Sequence, residues 1–472
     1  MSKAEGRQRA WSAKSLRREG PRYLALADRI ADDIASGRLR PGTQLPAQRD
    51  LADTLGVDLT TVSRAYTEAA RRGLVAGHVG RGTFVRAGLV ARSGDAGLRE
   101  TAELVDLSLS LPPRLTPDIA GDALASTLTE IARDFDLSRL LQYRQNAGDE
   151  SHRVAGAMWI AARGVDAPAD RVVITNGAQH ALTVLLSTLA APGDRVLTES
   201  LTYPGFRALA EQLHMEPVGL PLDDEGIRID AFRKACRASR ATVLYCTPTL
   251  HNPTAIVTSA ARRRDLMKAA AEFGVAVIED DVYGALASDA PSPLASMASA
   301  NSYFVASLSK AVAPGLRIGY VLAPSAREAD RISAAVRATT WMAPPLMAEI
   351  AASWIRDGTA HRILAANREA AVERQAIARR VLRAWQWRAH PRGYHGWLEL
   401  PAPWTTAAFT TQARRAGVGV APADAFAVSQ QAIAPAVRVS VSAAADLPSL
   451  EIAMNRLARL LELGPGVSSQ IL

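Results

Sequence analysis

Five short apolar runs, each followed by a polar or glycine-containing turn, recur through the middle of this 472-residue chain. They are Arg171 to Thr175, Arg195 to Thr198, Thr242 to Cys246, Val275 to Ile278 and Tyr303 to Ala306. Stretches with helical apolar spacing separate them. Strands alternating with helices signal a mostly parallel sheet with helices on both faces, so the body of the chain is expected to be α/β. Such sheets bind ligands at the carboxyl ends of their strands. The turn after each run is therefore where chemistry is to be sought.

The first run opens into Asn176-Gly177-Ala178-Gln179, whose backbone N–H groups can start a helix and cradle a phosphate. The second leads to Tyr203-Pro204-Gly205, with an aromatic able to stack on a ring. After the third comes His251-Asn252-Pro253-Thr254, with an amide donor, and after the fourth Glu279-Asp280-Asp281-Val282-Tyr283, an acid followed by a phenol. The fifth enters Ser307-Leu308-Ser309-Lys310, with Arg317 just beyond. Two hydroxyls and an arginine suit a phosphate dianion, and a lysine in a partly desolvated cleft is an amine able to form a Schiff base. Each end alone is ordinary loop chemistry. Together they describe a site for a phosphorylated pyridine aldehyde. His180 and His251 lie within these motifs but read as packing residues rather than catalysts.

Charge divides the chain. Residues 1–86 hold 16 Lys and Arg against 9 Asp and Glu, a net +7 within a whole-chain +8, which leaves +1 for residues 87–472. A basic segment on a near-neutral body points to a polyanion partner, most often nucleic acid. Residues 1–20 read as a basic tail. From Pro21 onward Tyr23, Leu26, Ala27, Ile30, Ile34 and Leu39 recur at helix spacing until Arg40-Pro41-Gly42 stops them. A second short helix starts near Pro46 and closes at Gly56. A third, capped by Asp58 or Thr60, is expected from Thr61 to Arg72, with Val62, Ala65, Tyr66 and Ala69 inward and Thr60, Thr61, Ser63 and Arg64 outward. Gly77 to Val85 reads as a hairpin with Gly80-Arg81-Gly82 at its tip. Residues 21–86 are thus expected to be a winged helix-turn-helix that offers hydroxyl and basic side chains to a major groove and an arginine to a narrow one. Residues 87–104 lack a sustained apolar period and read as a linker, leaving 105–472 as the large domain.

Two resemblances sharpen these expectations. Leu45-Pro46-Ala47-Gln48-Arg49-Asp50-Leu51-Ala52, Thr60-Thr61-Val62-Ser63-Arg64-Ala65-Tyr66 and Gly80-Arg81-Gly82-Thr83-Phe84-Val85 resemble, in register, the GntR-type DNA-binding domain. That implies contacts to double-stranded promoter DNA from Arg49, Thr61, Ser63, Arg64, Arg81 and Gly82. The segment from Ser307 to Tyr320, with the other four strand ends, resembles the fold-type I aminotransferases, which bind pyridoxal 5'-phosphate (PLP), over most of residues 105–460. This resemblance implies Lys310 as the lysine of the internal aldimine and Ser307, Ser309, Arg317, Ala178 and Gln179 as phosphate ligands. It implies Asp280 at the pyridine nitrogen, preferred to Asp281 because the family places a tyrosine three after the acid. Asn252 and Tyr283 would face the 3-oxygen, Tyr203 the ring, and Tyr143 would lend its hydroxyl to a partner subunit. In the alternating stretch Ala436 to Val441, Arg438 reads on pattern alone as a surface arginine on an edge strand, whereas the resemblance implies a bidentate clamp for an α-carboxylate. A smaller C-terminal α+β part from about 350, ending in a helix near Leu450 to Leu461, completes the implied fold. In their order the two modules resemble the MocR group of bacterial transcriptional regulators, which implies a homodimer.

Only two cysteines occur, Cys236 and Cys246, which fits a reducing cytoplasm and argues against a disulfide framework or a cysteine-based zinc site. No metal is expected. The longest apolar run, Ala181 to Ala191, is too short to cross a bilayer, and the first twenty residues lack the apolar segment of a secretory signal. The expected function is a PLP-binding transcriptional regulator that senses PLP or an amino compound. An aminotransferase with an accessory DNA-binding domain is the alternative, since the catalytic groups are all present.

Overall fold

The computed structural model describes residues 21–35, 38–39, 43–71, 74–78, 82–85, 104–297, 301–429 and 433–465. The basic tail, Arg81 and nearly all of the linker lie outside the described residues. The chain divides into two units, residues 1–99 and 100–472.

In the first unit the helices Arg22–Ala35, Gln48–Leu55 and Leu59–Arg71 precede an antiparallel hairpin, Val75–His78 with Gly82–Val85. Of the inward positions read from the spacing, Leu26, Ile30, Leu39, Val62, Ala65, Tyr66 and Ala69 are buried together with Leu51 and with Val75 and Val85 of the hairpin, while Tyr23 and Ile34 are partly buried against them. Each large aliphatic side chain so buried contributes about 1.5–3 kcal/mol. Gly56, at φ +61°, ends the second helix in the left-handed conformation that glycine adopts without Cβ strain. The third helix begins at Leu59, two residues earlier than expected, so Thr60 lies inside its first turn and cannot cap it. Its start is set by Asp58, whose carbonyl accepts from Thr61 N–H at 2.9 Å.

The second unit is built on a seven-stranded sheet ordered Val172–Thr175, Gly319–Leu322, Ser302–Ser307, Ala276–Asp280, Val243–Cys246, Arg195–Glu199, Glu216–Leu220. Only Gly319–Leu322 runs antiparallel to its neighbours. Side chains along these strands alternate between two buried faces. Val173, Val321, Val305, Ile278 and Tyr245 pack beneath the Gly177–Leu189 helix, while Ile174, Tyr320, Phe304 and Ala306 pack on the other side. Period-two alternation with both faces covered is what a parallel sheet in an α/β body requires. The five runs read from sequence are five of its strands, and all five point their carboxyl ends to the same edge.

A second sheet, Trp387–Ala389, Gly396–Glu399, Ala436–Val439 and Ala421–Pro422, is antiparallel and packs with the helices Thr406–Arg415 and Leu447–Leu463. Its hydrophobic core starts at Ile377, not near residue 350. Residues from Ile350 to Ala371 pack instead on the large core, because one continuous helix, Thr359–Val381, runs from one core into the other. The smaller core also takes in Leu107 from the start of the unit, where Val105–Asp106 pairs in parallel with Val418–Gly419. Among the described residues no helix is long and apolar enough to cross a membrane.

Candidate ligand site and DNA-binding face

Register brings the phosphate-type residues together. Ser307 lies opposite Gly319, and Gly319 lies opposite Thr175, so the ends of three adjacent strands meet at the start of the Gly177–Leu189 helix. The first turn of that helix leaves its N–H groups without intrahelical acceptors. Gly177 sits at φ +78°, and a Cβ there would stand 2.9 Å from Arg317 Nη2, so the guanidinium lies against the glycine backbone. Arg317 itself has φ +50°, a left-handed conformation that costs a non-glycine residue about 1–3 kcal/mol. Ser307 Oγ accepts from Ser309 N–H at 3.1 Å and lies 3.1 Å from Ser309 Oγ. Ala178 is in the same first turn, with Gln179, whose side-chain amide donates to the Gly205 carbonyl at 3.0 Å. Backbone N–H groups, a hydroxyl and a guanidinium are the donor set of a phosphate cradle.

Alternation along Ala276–Asp280 sets Asp280 apart from its acidic neighbours. Glu279 faces Arg263, 3.5 Å away, with both side chains fully buried, and Asp281 pairs with Arg163 at 2.7 Å. Asp280 points the other way, where its oxygens take only neutral donors, Tyr245 Oη at 2.9 Å and Val282 N–H at 3.2 Å. Burial pushes its carboxyl up to about 6, against those hydrogen bonds and the charge of Lys310. A buried acid held by neutral donors suits a cationic ring N–H as partner. Tyr203, at the start of the Pro204–Gln212 helix, is half-buried; burial and then Asp280 and Tyr283 raise its phenol, and Arg317 and Arg438 oppose them. A Cβ at Gly205 would fall 2.4 Å from the Tyr203 ring, so glycine makes room for it.

Lys310 and Arg438 meet on one short segment. Lys310 Nζ donates to the Ser110 carbonyl and lies 5.9 Å from the centre of the Tyr283 ring. Tyr283 Oη donates to Ser110 Oγ at 2.9 Å. Arg438, only 6% exposed, donates to Asn252 Oδ1 at 2.6 Å and to the Ser108 carbonyl at 2.5 Å, with its guanidinium carbon 4.8 Å from the Phe426 ring centre. Its Nε is buried without a hydrogen-bond partner. Arg438 therefore lies inside the small sheet facing the large core, not on a solvated edge. Tyr394 Oη donates to the Lys310 carbonyl at 2.8 Å and fixes the turn that carries the lysine.

Two expected histidines are packing groups in the structure. His251 Nδ1 is 2.7 Å from Thr254 Oγ1, and burial pushes its imidazole down to about 4; His180 Nε2 is 2.8 Å from Thr339 Oγ1. Tyr143 is not among the converging residues within one chain: it is 79% exposed, and its ring lies 5.3 Å from that of Trp341. Sequence reasoning missed Ser108, Ser110, Tyr245, Tyr394 and Phe426. Alternation from Asp280 across the neighbouring strand could have found Tyr245, which is in the strand paired with it.

On the first unit Arg49 and Arg64 are exposed and Thr61 and Ser63 half-buried, all in the second and third helices. Arg64 is held with its guanidinium carbon 4.3 Å above the centre of the Tyr23 ring. Gly82 begins the second hairpin strand.

Residues 118–457 match the family model for aminotransferase class I and II, and residues 22–85 match that for bacterial regulatory proteins of the gntR family. The uncharacterized HTH-type transcriptional regulator YdeF of Bacillus subtilis is 30% identical over 453 residues, covering 96% of this chain and 97% of its own. The vitamin B6 salvage pathway transcriptional repressor PtsJ of Salmonella typhimurium is 28% identical over 415 residues, 87% of this chain and 92% of its own. Among solved structures, Pyrococcus horikoshii kynurenine aminotransferase superposes with a TM-score of 0.69 at 23% identity, covering 77% of this chain and 92% of that one. LysN, the alpha-aminoadipate aminotransferase of Thermus thermophilus, superposes with a TM-score of 0.68 at 23% identity, covering 77% and 93%.

Proposed function

Because the chain belongs to the class I and II aminotransferase family and carries a GntR-family DNA-binding domain ahead of it, the arrangement of MocR-type regulators, we propose that it couples promoter binding to PLP and to a carboxylate-bearing amine. That it is a transcriptional regulator with an aminotransferase-like domain, and that PLP is the cofactor of that domain, follows from the family and its relatives. The residues fit the cofactor. Ser309, Arg317 and the helix start at Gly177–Gln179 would hold the phosphate, Asp280 the ring nitrogen, Tyr283 and Asn252 the 3-oxygen, and Tyr203 the ring face.

Bound PLP supplies an aldehyde that condenses with amines and a ring that withdraws electrons. Lys310 is the amine the chain offers, and Asp280, buried beside neutral donors, would keep a proton on the ring nitrogen. Tyr245 holds Asp280 in place. The observation that carries the sensing role is Arg438: a buried guanidinium whose hydrogen-bonded acceptors are a neutral amide and a neutral carbonyl. A planar fork of this kind pairs with a carboxylate through two charge-assisted hydrogen bonds. An effector that binds two arrangements of the chain unequally then shifts between them. Tyr143, exposed on its own chain, would reach the site of a second copy in a homodimer.

Gel shifts on the gene's own upstream DNA, with PLP alone and with PLP plus each of the common amino acids, test this reading. DNA affinity that changes with PLP or with one amino acid supports it; affinity indifferent to all of them overturns it. Since Lys310, Asp280, Tyr283 and Arg438 are all present, turnover is a second reading. Repeated conversion of an amino acid to its keto acid in the presence of a second keto acid would favour the enzyme.

A further inference from the structure

We propose that residues 107–111 form a strap that competes with the ligand for Lys310 and Arg438, so that ligand binding and strap release are one event; the inference rests on the roles proposed for those two residues. Three contacts define it. The Ser108 carbonyl takes Arg438 Nη2 at 2.5 Å, the Ser110 carbonyl takes Lys310 Nζ, and Ser110 Oγ takes the Tyr283 hydroxyl at 2.9 Å. Every group with a proposed part in gripping the amino compound or the 3-oxygen, apart from Asn252, is engaged by this one segment, Lys310 and Arg438 by its carbonyls and Tyr283 by the Ser110 hydroxyl.

The strap is anchored at its ends and not in its middle. Leu107 is fully buried in the small core, donates to the Gly419 carbonyl at 2.8 Å and accepts from Ser440 N–H at 2.9 Å. At the other end the Leu111 carbonyl accepts from Ser442 Oγ at 2.5 Å. Between them Leu109 is 47% exposed, so the centre is held to the site by polar contacts rather than by packing. Those contacts are ones a ligand improves upon. A carboxylate on Arg438 makes charge-assisted hydrogen bonds about twice as strong as those of a neutral carbonyl. When Lys310 condenses with an aldehyde, a carbon–nitrogen double bond forms, one water leaves, and the nitrogen retains at most one proton to donate where the free amine had more.

The experiment uses the full-length chain and two side-chain variants that leave Lys310, Arg438 and the Ser108 and Ser110 carbonyls in place. Ser442→Ala removes the anchor at Leu111, and Ser110→Ala removes the tie to Tyr283. The probes are PLP, followed by its absorbance, and N-(5'-phosphopyridoxyl)-L-leucine, followed by calorimetry because it occupies both ends of the site without a covalent bond. A competing strap, loosened by one hydrogen bond, gives binding about 3- to 10-fold tighter for both probes in both variants. A strap that is a fixed wall of the site gives weaker or unchanged binding, and either result overturns the proposal. Failure of the underlying reading looks different: the wild-type chain binds neither probe, or Lys310→Ala binds PLP as tightly as wild type. If Ser442→Ala melts early, Ser110→Ala carries the comparison alone.

Discussion

Arg438 and Asn252 are joined by a 2.6 Å hydrogen bond across 186 positions of sequence. One stands on the antiparallel sheet of the smaller core and the other at a strand end of the larger sheet. Arg438 also donates to the Ser108 carbonyl and Lys310 to the Ser110 carbonyl, so the two cations are held along one short segment of chain.

Arg438→Ala is expected to leave PLP absorbance in place while weakening N-(5'-phosphopyridoxyl)-L-leucine by about 10- to 100-fold, the loss of a charge-assisted pair. Pyridoxamine 5'-phosphate, which lacks the carboxylate, should bind the variant no more weakly than it binds wild type. Calorimetry with both compounds checks this, and equal weakening of the two would remove Arg438 from the carboxylate.

Asp280 carries a pH signature. Its folded carboxyl is raised from an ordinary 3.8 to about 6 by burial, so between those values the folded ligand-free chain holds more proton than the unfolded one. Stability contributed by this group is therefore greatest below pH 4 and falls as pH rises through 6. Asp280→Asn, which stays neutral and can still accept from Tyr245, should stabilise the chain without cofactor at pH 8 by on the order of 2 kcal/mol and change little at pH 4. The same variant should bind PLP more weakly, having lost the partner of the ring proton. Melting curves at the two pH values test the first statement; a variant less stable at pH 8 would contradict it.

Arg64→Ala is expected to weaken promoter binding and to lower the salt dependence of that binding by about one unit of slope if the arginine meets a phosphate. Its PLP absorbance should match wild type. Tyr23→Ala removes the ring that holds Arg64 and should weaken DNA binding less than Arg64→Ala does. Titrations at several salt concentrations check both, and a loss of PLP binding in either variant would contradict two separable functions.

Much of the site was legible because the sheet imposes it. Once five runs are strands of one parallel sheet, their ends share an edge, and period two places Asp280 opposite in facing to Glu279 and Asp281. The strap was not legible. Ser108 and Ser110 are ordinary residues whose partners lie 173, 200 and 330 positions away, and no local pattern encodes such distances. The boundary near 350 failed for a different reason: a 23-residue helix spans both cores, so no turn or change of spacing marks the border. Pattern alone left an edge position open for Arg438 because alternation along Ala436–Val439 cannot say that Ala421–Pro422 covers the strand on its other side.

Lys310 is one of only five lysines in the chain, with Lys3, Lys14, Lys234 and Lys268, and this makes the central claim open to a single chemical measurement. The full-length protein is incubated with PLP, reduced with borohydride, digested and mapped by mass spectrometry. The expected result is one phosphopyridoxyl group, on Lys310. Label on the other lysines alone, or no label at all, would contradict the account.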